Sequence, residues 1–581
     1  MNTNAFVNFN TLLLVVVYLL VYRFDPDHEE NMAKFIPDNA LIYFEQRDAK
    51  SAVKGFRNTQ LGKNFDTINF KSTGEKIGLS EKIIDTVGII QKHYPDVFEN
   101  NIINELLGKR FAVALFLPKN DLSDLNLESY LRENSVVVAE PKHNAAILKN
   151  TAEHFGKQFK KKSFQTIQYG NHQISRVTTP EGLVSFSAIE GLFIASFNEK
   201  QLKLSIDAYD GEIKSLFNSG HFEKAQKEFV QPQRFLYLPT EGLKKIVSQF
   251  YSFLSPEVKS LLEQQLTNTQ GFLGISYGAW PTETMVQEKI IFSYDEKLTN
   301  QTVQRHLTTA PSKNSMLDMT IDDPLAYYWS NTIDLKHFLT YLPVATREGD
   351  PIHNYINKLE SVSSYSIEQI LSILGDEVSL VIEKSGGDNF IPVPLAAAFF
   401  RVNPKVDISE IVNYIVDSFE VPVIEQVYNS VTYLYWVASP QDGLQPLCGF
   451  WSNLFFIGNS AQLIERVIDG YNENKSLLTN RKIRDIDPGI IEDNNSVTYF
   501  NNVEILELAQ RLLSALGTMV SMEDREKAKK ARIVITEVLN PFIEGLKEFE
   551  RSCTRSYFAP GMVVIDSKTS IAKKNTRIEA K

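Results

Sequence analysis

The pentapeptide Gly274-Ile275-Ser276-Tyr277-Gly278 satisfies the Gly-x-Ser-x-Gly pattern of a nucleophile elbow, where a sharp strand-to-helix turn presents a serine hydroxyl to a base. That chemistry needs a helix directly after the serine. Here Ala279-Trp280-Pro281 leads into another strand-like run, Met285 to Ser293, so a hairpin strand is the better reading. The nine histidines (His28, His93, His143, His154, His172, His221, His306, His337 and His353) include no His-Glu-x-x-His or other close ligand pair, which argues against a zinc hydrolase. Asp207, Asp210, Glu212 and Asp469 fall at or after helix ends without a twelve-residue calcium loop, and read as solvated helix ends. Lys384-Ser385-Gly386-Gly387-Asp388-Asn389 has the atoms of a phosphate cradle but reads as a loop between strands. Lys157, Lys160, Lys161 and Lys162 form the densest basic cluster, either the solvated end of a helix or a contact for anionic lipid or a partner. With only Cys448 and Cys553, a Cys-rich metal site or disulfide framework is excluded; the two thiols are either bridged outside the cytoplasm or free and buried. No catalytic, metal or cofactor site emerges, and a non-enzyme without cofactors is expected.

The elements that carry these residues occur twice. Ile36-Pro37-Asp38-Asn39-Ala40-Leu41-Ile42-Tyr43-Phe44 precedes a helix-like stretch, Ala49 to Phe56, as Ile321-Asp322-Asp323-Pro324-Leu325-Ala326-Tyr327-Tyr328-Trp329 precedes Asp334 to Tyr341. Leu106-Leu107-Gly108-Lys109-Arg110-Phe111 matches Ile373-Leu374-Gly375-Asp376-Glu377-Val378, each read as a helix ending at glycine before a strand. Val136 to Ala139 matches Ala398 to Arg401. Gly191 to Ser196 matches Asn453 to Gly458, with helices after both, Glu199 to Ala208 and Ala461 to Tyr471. Lys214-Ser215-Leu216 matches Lys475-Ser476-Leu477, Arg234 to Leu238 matches Ser496 to Phe500, and Ser276 to Pro281 matches Ser556 to Pro560. Hairpins are expected to turn at Gly170-Asn171 and Asn429-Ser430. Such consecutive pairs with interleaved helices imply an α+β fold: a tandem duplication of an antiparallel-sheet module with helices on one face. Longer helices are expected over Val503 to Leu516 and about Glu523 to Arg551; Ile505, Leu508, Leu512 and Leu516 share one helical face, which normally packs into a core.

A chain of 581 residues is too long for one hydrophobic core, and 43% apolar with 23% charged residues excludes wholesale disorder and a polytopic membrane protein. A net charge of −11 argues against coating nucleic acid. The unusual segment is the start: Ala5 to Tyr22 would span roughly 27 Å as a helix. No early Lys or Arg precedes it, Val21-Tyr22-Arg23-Phe24 is too bulky for a signal-peptidase cut, and no cysteine follows for lipidation. An uncleaved single-span anchor fits best, with Phe6, Leu12, Leu14, Val16, Leu19 and Tyr22 facing lipid, and the bulk of the chain exported. The expected organisation is a membrane anchor and short linker over 1–34, a first α+β repeat over 35–305, a second over 306–570 and a flexible tail over 571–581.

The strand Pro37 to Tyr43, the segment Thr59-Gln60-Leu61-Gly62-Lys63-Asn64-Phe65, and the strand entries at Gly108 and Gly375 resemble a bacterial family of membrane-anchored envelope proteins of unknown function. That resemblance implies an inner-membrane protein with its soluble part in the periplasm, and it carries no catalytic residues. The expected function is therefore a non-catalytic binding or assembly subunit of a larger envelope complex, with membrane lipid and proteins as partners and no nucleic acid. The alternative is a periplasmic carrier of lipid or another apolar ligand, held in an apolar cup between sheet and amphipathic helices.

Overall fold

The computed structural model describes residues 31–81, 84, 91, 107–117, 127–141, 164–179, 182–250, 259, 263, 269–333, 360, 366, 369, 371, 374–385, 393–402, 412, 422–436, 445–523 and 525–573. The anchor residues Phe6, Leu12, Leu14, Val16, Leu19 and Tyr22, the cluster Lys157, Lys160, Lys161 and Lys162, and the stretch Asp334 to Tyr341 lie outside the described residues. The chain divides into two compact units, one drawn from 1–58, 89–280 and 290–300, the other from 59–88, 281–289 and 301–581. Residues 59–88 thus come from the first half of the chain yet belong to the second unit.

The first unit is built on β1 (Ile42–Arg47), β2 (Arg110–Leu115), β3 (Ser135–Glu140), β4 (Phe164–Tyr169), β5 (His172–Thr179), β6 (Gly182–Ile189), β7 (Leu192–Ser196), β8 (Arg234–Pro239) and β9 (Phe272–Pro281), followed by β10 (Met285–Tyr294). Antiparallel pairing places them in the order β4-β5-β6-β7-β3-β2-β1-β8-β9. The β4–β5 hairpin turns at Gly170-Asn171, with Gly170 at φ +53°, the left-handed conformation a two-residue turn requires. One face of this sheet is sealed by the helices Glu199–Asp210 and Gly220–Lys227. Asn198 caps the first through the Lys200 N–H, and Leu202 and Ile206 are fully buried beneath it. From the second, Phe222 meets the edges of Tyr43, Phe235 and Tyr237 at centroid distances of 5.6, 5.9 and 5.1 Å.

The second unit contains β11 (Ser312–Lys313), β12 (Ala326–Ser330), β13 (Leu374–Glu383), β14 (Leu395–Val402), β15 (Val423–Tyr428), β16 (Val431–Trp436), β17 (Leu447–Trp451), β18 (Leu454–Gly458), β19 (Asp493–Asn494), β20 (Ser496–Asn501), β21 (Phe549–Ala559) and β22 (Met562–Ile571). The short β11 and β19 pair with each other. The others run β15-β16-β17-β18-β14-β13-β12-β20-β21-β22, also antiparallel. Strand for strand, the first nine follow the order found in the first unit. The β15–β16 hairpin turns at Asn429-Ser430, both at positive φ. Its core gathers Trp329, Tyr327, Phe399, Tyr433, Phe456 and Tyr499 under Leu463, Ile464, Val467 and Ile468 of the helix Ala461–Asn472. Each large side chain buried this way contributes on the order of 1.5–3 kcal/mol.

Several local expectations shift. β13 begins at Leu374, so Gly375 sits inside a strand rather than ending a helix; a Cβ there would stand 2.9 Å from the Arg401 carbonyl oxygen. The segment after β20 forms the helices Asn502–Glu523, Arg525–Val534 and Asn540–Leu546, joined by a π-helical turn over Ile535–Leu539, and the chain is already strand from Phe549. Ile505, Leu508, Leu512 and Leu516 do not enter the core: the first three are half-buried and Leu516 is 53% exposed. At the other end β22 continues through Ile571, whose N–H donates to the Thr284 carbonyl over 2.8 Å.

Two helices from residues 59–88 pack on this helical layer. Gln60–Thr67 is capped by Thr59 and Phe70–Ile77 by Asn69, each side-chain oxygen accepting a backbone N–H. Gly545 lies against Leu61 so closely that a Cβ would stand 2.6 Å from the Leu61 Cα. Glu537, in the π-turn, accepts from Thr73 Oγ1 at 2.8 Å and Lys76 Nζ at 2.6 Å, and Phe65, Phe70 and Phe542 form a ring cluster with centroids 5.5–6.4 Å apart.

Candidate functional site

Ser276 lies in the middle of β9, fully buried, with no hydrogen-bond partner on Oγ. Its flanking glycines have a packing explanation. A Cβ on Gly274 would stand 2.8 Å from the Tyr237 ring, and one on Gly278 would stand 2.3 Å from the Phe229 ring. Gly274, Ser276 and Gly278 share a face of β9, and their small size lets aromatic rings lie flat on the strand. No strand-turn-helix exists here, so the hairpin-strand reading is correct and the elbow is absent. Register also corrects the proposed match with Ser556: Ser276 pairs with Tyr237, whereas Tyr499 in the second sheet pairs with Cys553. Ser556 faces the other side, its Oγ 2.6 Å from that of Ser496.

Of the carboxylates read as solvated helix ends, Glu212 is exposed, whereas Asp207, Asp210 and Asp469 clasp hairpins to helices. Tyr169 of β4 donates to both oxygens of Asp207 at 2.8 and 3.0 Å, and Tyr428 of β15 donates to both oxygens of Asp469 at 3.1 and 2.9 Å. His172 Nε2 lies 2.8 Å from Asp210. The Asp207 contact, with burial and Asp210 as lesser causes, raises the Tyr169 hydroxyl pKa, and Asp469 does the same to Tyr428.

Deeper charges are paired. In the first unit Arg110 on β2 donates through Nε to Glu140 on β3 at 2.9 Å, Lys109 binds the other Glu140 oxygen at 2.6 Å, and Tyr43 donates to Glu45 at 2.9 Å. Burial first, then Glu45, pushes the Tyr43 pKa well up. In the second unit the polarity reverses: Glu377 on β13 accepts from Arg401 on β14, and from Trp329 Nε1 at 3.0 Å. A further network centres on buried Asp487, which receives Arg555 Nε at 3.1 Å and Lys568 Nζ at 3.0 Å, while Arg555 also donates to Asp566 at 3.0 Å. These groups hold strands and turns together. Lys384 pairs with Glu504 at 2.8 Å, and Gly386 to Asn389 lie outside the described residues. Among the described residues, no set of three His, Cys, Asp or Glu side chains is placed to hold a metal ion.

Cys448 and Cys553 are both free and buried. Six strand spacings separate β17 from β21 through β18, β14, β13, β12 and β20, roughly 29 Å at ~4.8 Å each, far beyond the ~7 Å a disulfide tolerates between Cα atoms. Burial pushes their thiols up to about 11 and about 12, respectively.

The arrangement with binding potential is the second face of each sheet. Residues paired across strands point the same way. In the first unit, Phe44 stands level with Val113, Val137 and Ala195 on one side and with Leu236 and Tyr277 on the other. In the second unit, Tyr328 is level with Leu380, Ala398 and Ile457, and the next row holds Val378, Phe400, Phe455 and Phe450. A solvated sheet face would carry charged and polar side chains. These positions are apolar and, apart from Val378 and Phe455, incompletely covered, with Ile457 43% exposed. The signal was present in the sequence: Phe111-Ala112-Val113-Ala114-Leu115 and Leu395-Ala396-Ala397-Ala398-Phe399-Phe400 are continuous apolar runs rather than alternating ones, the mark of strands apolar on both faces.

No family model matches the chain, and no curated protein does. Crystal forms III and I of a protein called TP0453 are similar over 48% of this chain and 85% of theirs, at 8% and 10% identity with TM-scores of 0.20 and 0.22. Among the described residues no helix is long and apolar enough to cross a membrane.

Proposed function

We propose that this chain is a non-catalytic binding or assembly subunit of the bacterial envelope, held at the inner membrane by an N-terminal span and formed by tandem duplication of one α+β module. The observation that carries the binding role is the helical layer over 502–546: its apolar residues lie outside the core cluster, and Leu516 and Leu546 remain 53% and 36% exposed. Exposed leucines on a helical layer outside the core favour its use as a contact surface. The matching strand orders and the paired clasps Tyr169–Asp207 and Tyr428–Asp469 support duplication. The apolar run from Leu12 to Tyr22 supports the anchor. Cross-linking in native membranes tests the role: a defined protein adduct is expected, and Leu516→Glu should abolish it. An adduct pattern unchanged by Leu516→Glu would remove the helical layer from the account.

A second reading, a periplasmic carrier of lipid or another apolar ligand, is favoured by the apolar second sheet faces around Tyr277 and Phe400. Native mass spectrometry of the purified protein should then show a bound amphiphile, and an empty chain would rule the carrier out.

A further inference from the structure

The second face of the second sheet changes character from one end to the other. Across β12, β13, β14 and β18 it is apolar apart from Ser330, whose hydroxyl donates to the Asn495 carbonyl, and carries residues such as Tyr328, Leu380, Phe400 and Ile457. Across β20, β21 and β22 the same face becomes a field of hydroxyls. Thr498 pairs with Thr554, which pairs with Ser567; Ser496 pairs with Ser556; and Ser552 pairs with Thr569. Nine positions in three rows thus hold seven hydroxyls, the exceptions being Phe500 and Ile565, and no charged side chain. The hydroxyls form cross-strand contacts of 2.6 Å (Ser496–Ser556), 2.9 Å (Thr554–Ser567) and 2.9 Å (Ser552–Thr569). Ser552 Oγ also accepts from Asn502 Nδ2 at 2.7 Å, at the start of the helix Asn502–Glu523. Each hydroxyl has one proton and two lone pairs, so the others, with at most one such contact, keep further hydrogen-bonding capacity. All seven are half-buried, and Phe500 beside them is 40% exposed. The corresponding strands of the first unit carry Leu236 and Tyr277 on this face, so the field belongs to the second unit alone.

Resting on the carrier reading, we propose that this face binds an amphiphile with an uncharged, hydroxyl-bearing head group, such as a neutral glycolipid. The acyl chains lie on β12, β13, β14 and β18 and the head lies on β20, β21 and β22. A phosphate head would call for cations or clustered N–H donors, and the paired positions of this face supply none. A sugar presents alternating donors and acceptors that match a hydroxyl field, and its apolar ring face suits Phe500. At ~4.8 Å between strands, three strands match one or two pyranose rings in width.

The test uses the full chain, purified in detergent, stripped of lipid, and incubated with monoglucosyl diacylglycerol or with phosphatidylglycerol of the same acyl chains. Native mass spectrometry reads the lipid retained. At least tenfold preference for the glucolipid is expected. Thr498→Val with Thr554→Val should bring the ratio near one without loss of phosphatidylglycerol retention, which also reports that the fold survives; Ser567→Ala provides a milder second variant. Equal or greater retention of phosphatidylglycerol by the wild-type chain would overturn the head-group assignment while leaving a carrier. Retention of neither lipid would overturn both.

Discussion

At the residue scale, the buried ion pairs and tyrosine–carboxylate contacts described above hold strands, turns and helices together. Asp487 shows this most plainly, because it is fully buried and bound by two cations that are themselves only 18% and 19% exposed. Asp487→Asn removes the charge but leaves Arg555 and Lys568 facing it. A loss of about 3 kcal/mol is expected, the low end for breaking a buried ion pair because both cations reach solvent, read as a lower urea midpoint at constant m. The cysteines provide a second test. With thiol pKa values raised to about 11 and about 12, neither Cys448 nor Cys553 should react with iodoacetamide at pH 8 until the chain is unfolded, and a non-reducing gel should show no bridge. The linkage sign follows: above the ordinary 9.0 the unfolded thiols lose protons that the folded ones keep, so their contribution to stability falls as pH rises from about 9 toward 12. Rapid labelling of folded protein at pH 8 would contradict the burial of both groups.

At the element scale, hairpin turns follow from short-range signals, whereas strand order and register do not. Gly170-Asn171 and Asn429-Ser430 were legible because a two-residue turn demands positive φ and these residue types supply it. The match of Ser276 with Ser556 failed because a three-residue slip along a strand preserves apolar character while reversing the face. The clasp between Tyr169 and Asp207 was invisible, since no spacing rule joins residues in a hairpin and a later helix. Least legible was the transfer of 60–77 to the second unit, which depends on small residues at a contact rather than on any pattern within either segment. That contact makes a paired prediction. Gly545→Ala drives a methyl into the Leu61 backbone and should cost about 1–3 kcal/mol. Gly55→Ala, in the helix Ala49–Asn58 with nothing within 4 Å, should raise stability by up to about 1 kcal/mol. Thermal unfolding of both variants checks this; a neutral Gly545→Ala would mean the two helices are not in close contact.

At the scale of the whole molecule, two sheets with one strand order keep apolar stretches on their second faces, and the second unit adds a helical layer outside its core. Such surfaces cost solubility, and the binding role proposed above would give them a use. Topology belongs to this scale as well. A reporter active only outside the cytoplasm, fused after Lys581, should be active if the first twenty-two residues anchor and export the chain, and silent if they do not. The central claim is that the chain works by binding. Its most direct test is native mass spectrometry of the protein taken from its own membranes in mild detergent: the account predicts a mass above the 66.0 kDa of the chain, by a protein partner or by a lipid-sized adduct, and a bare 66.0 kDa species would contradict it.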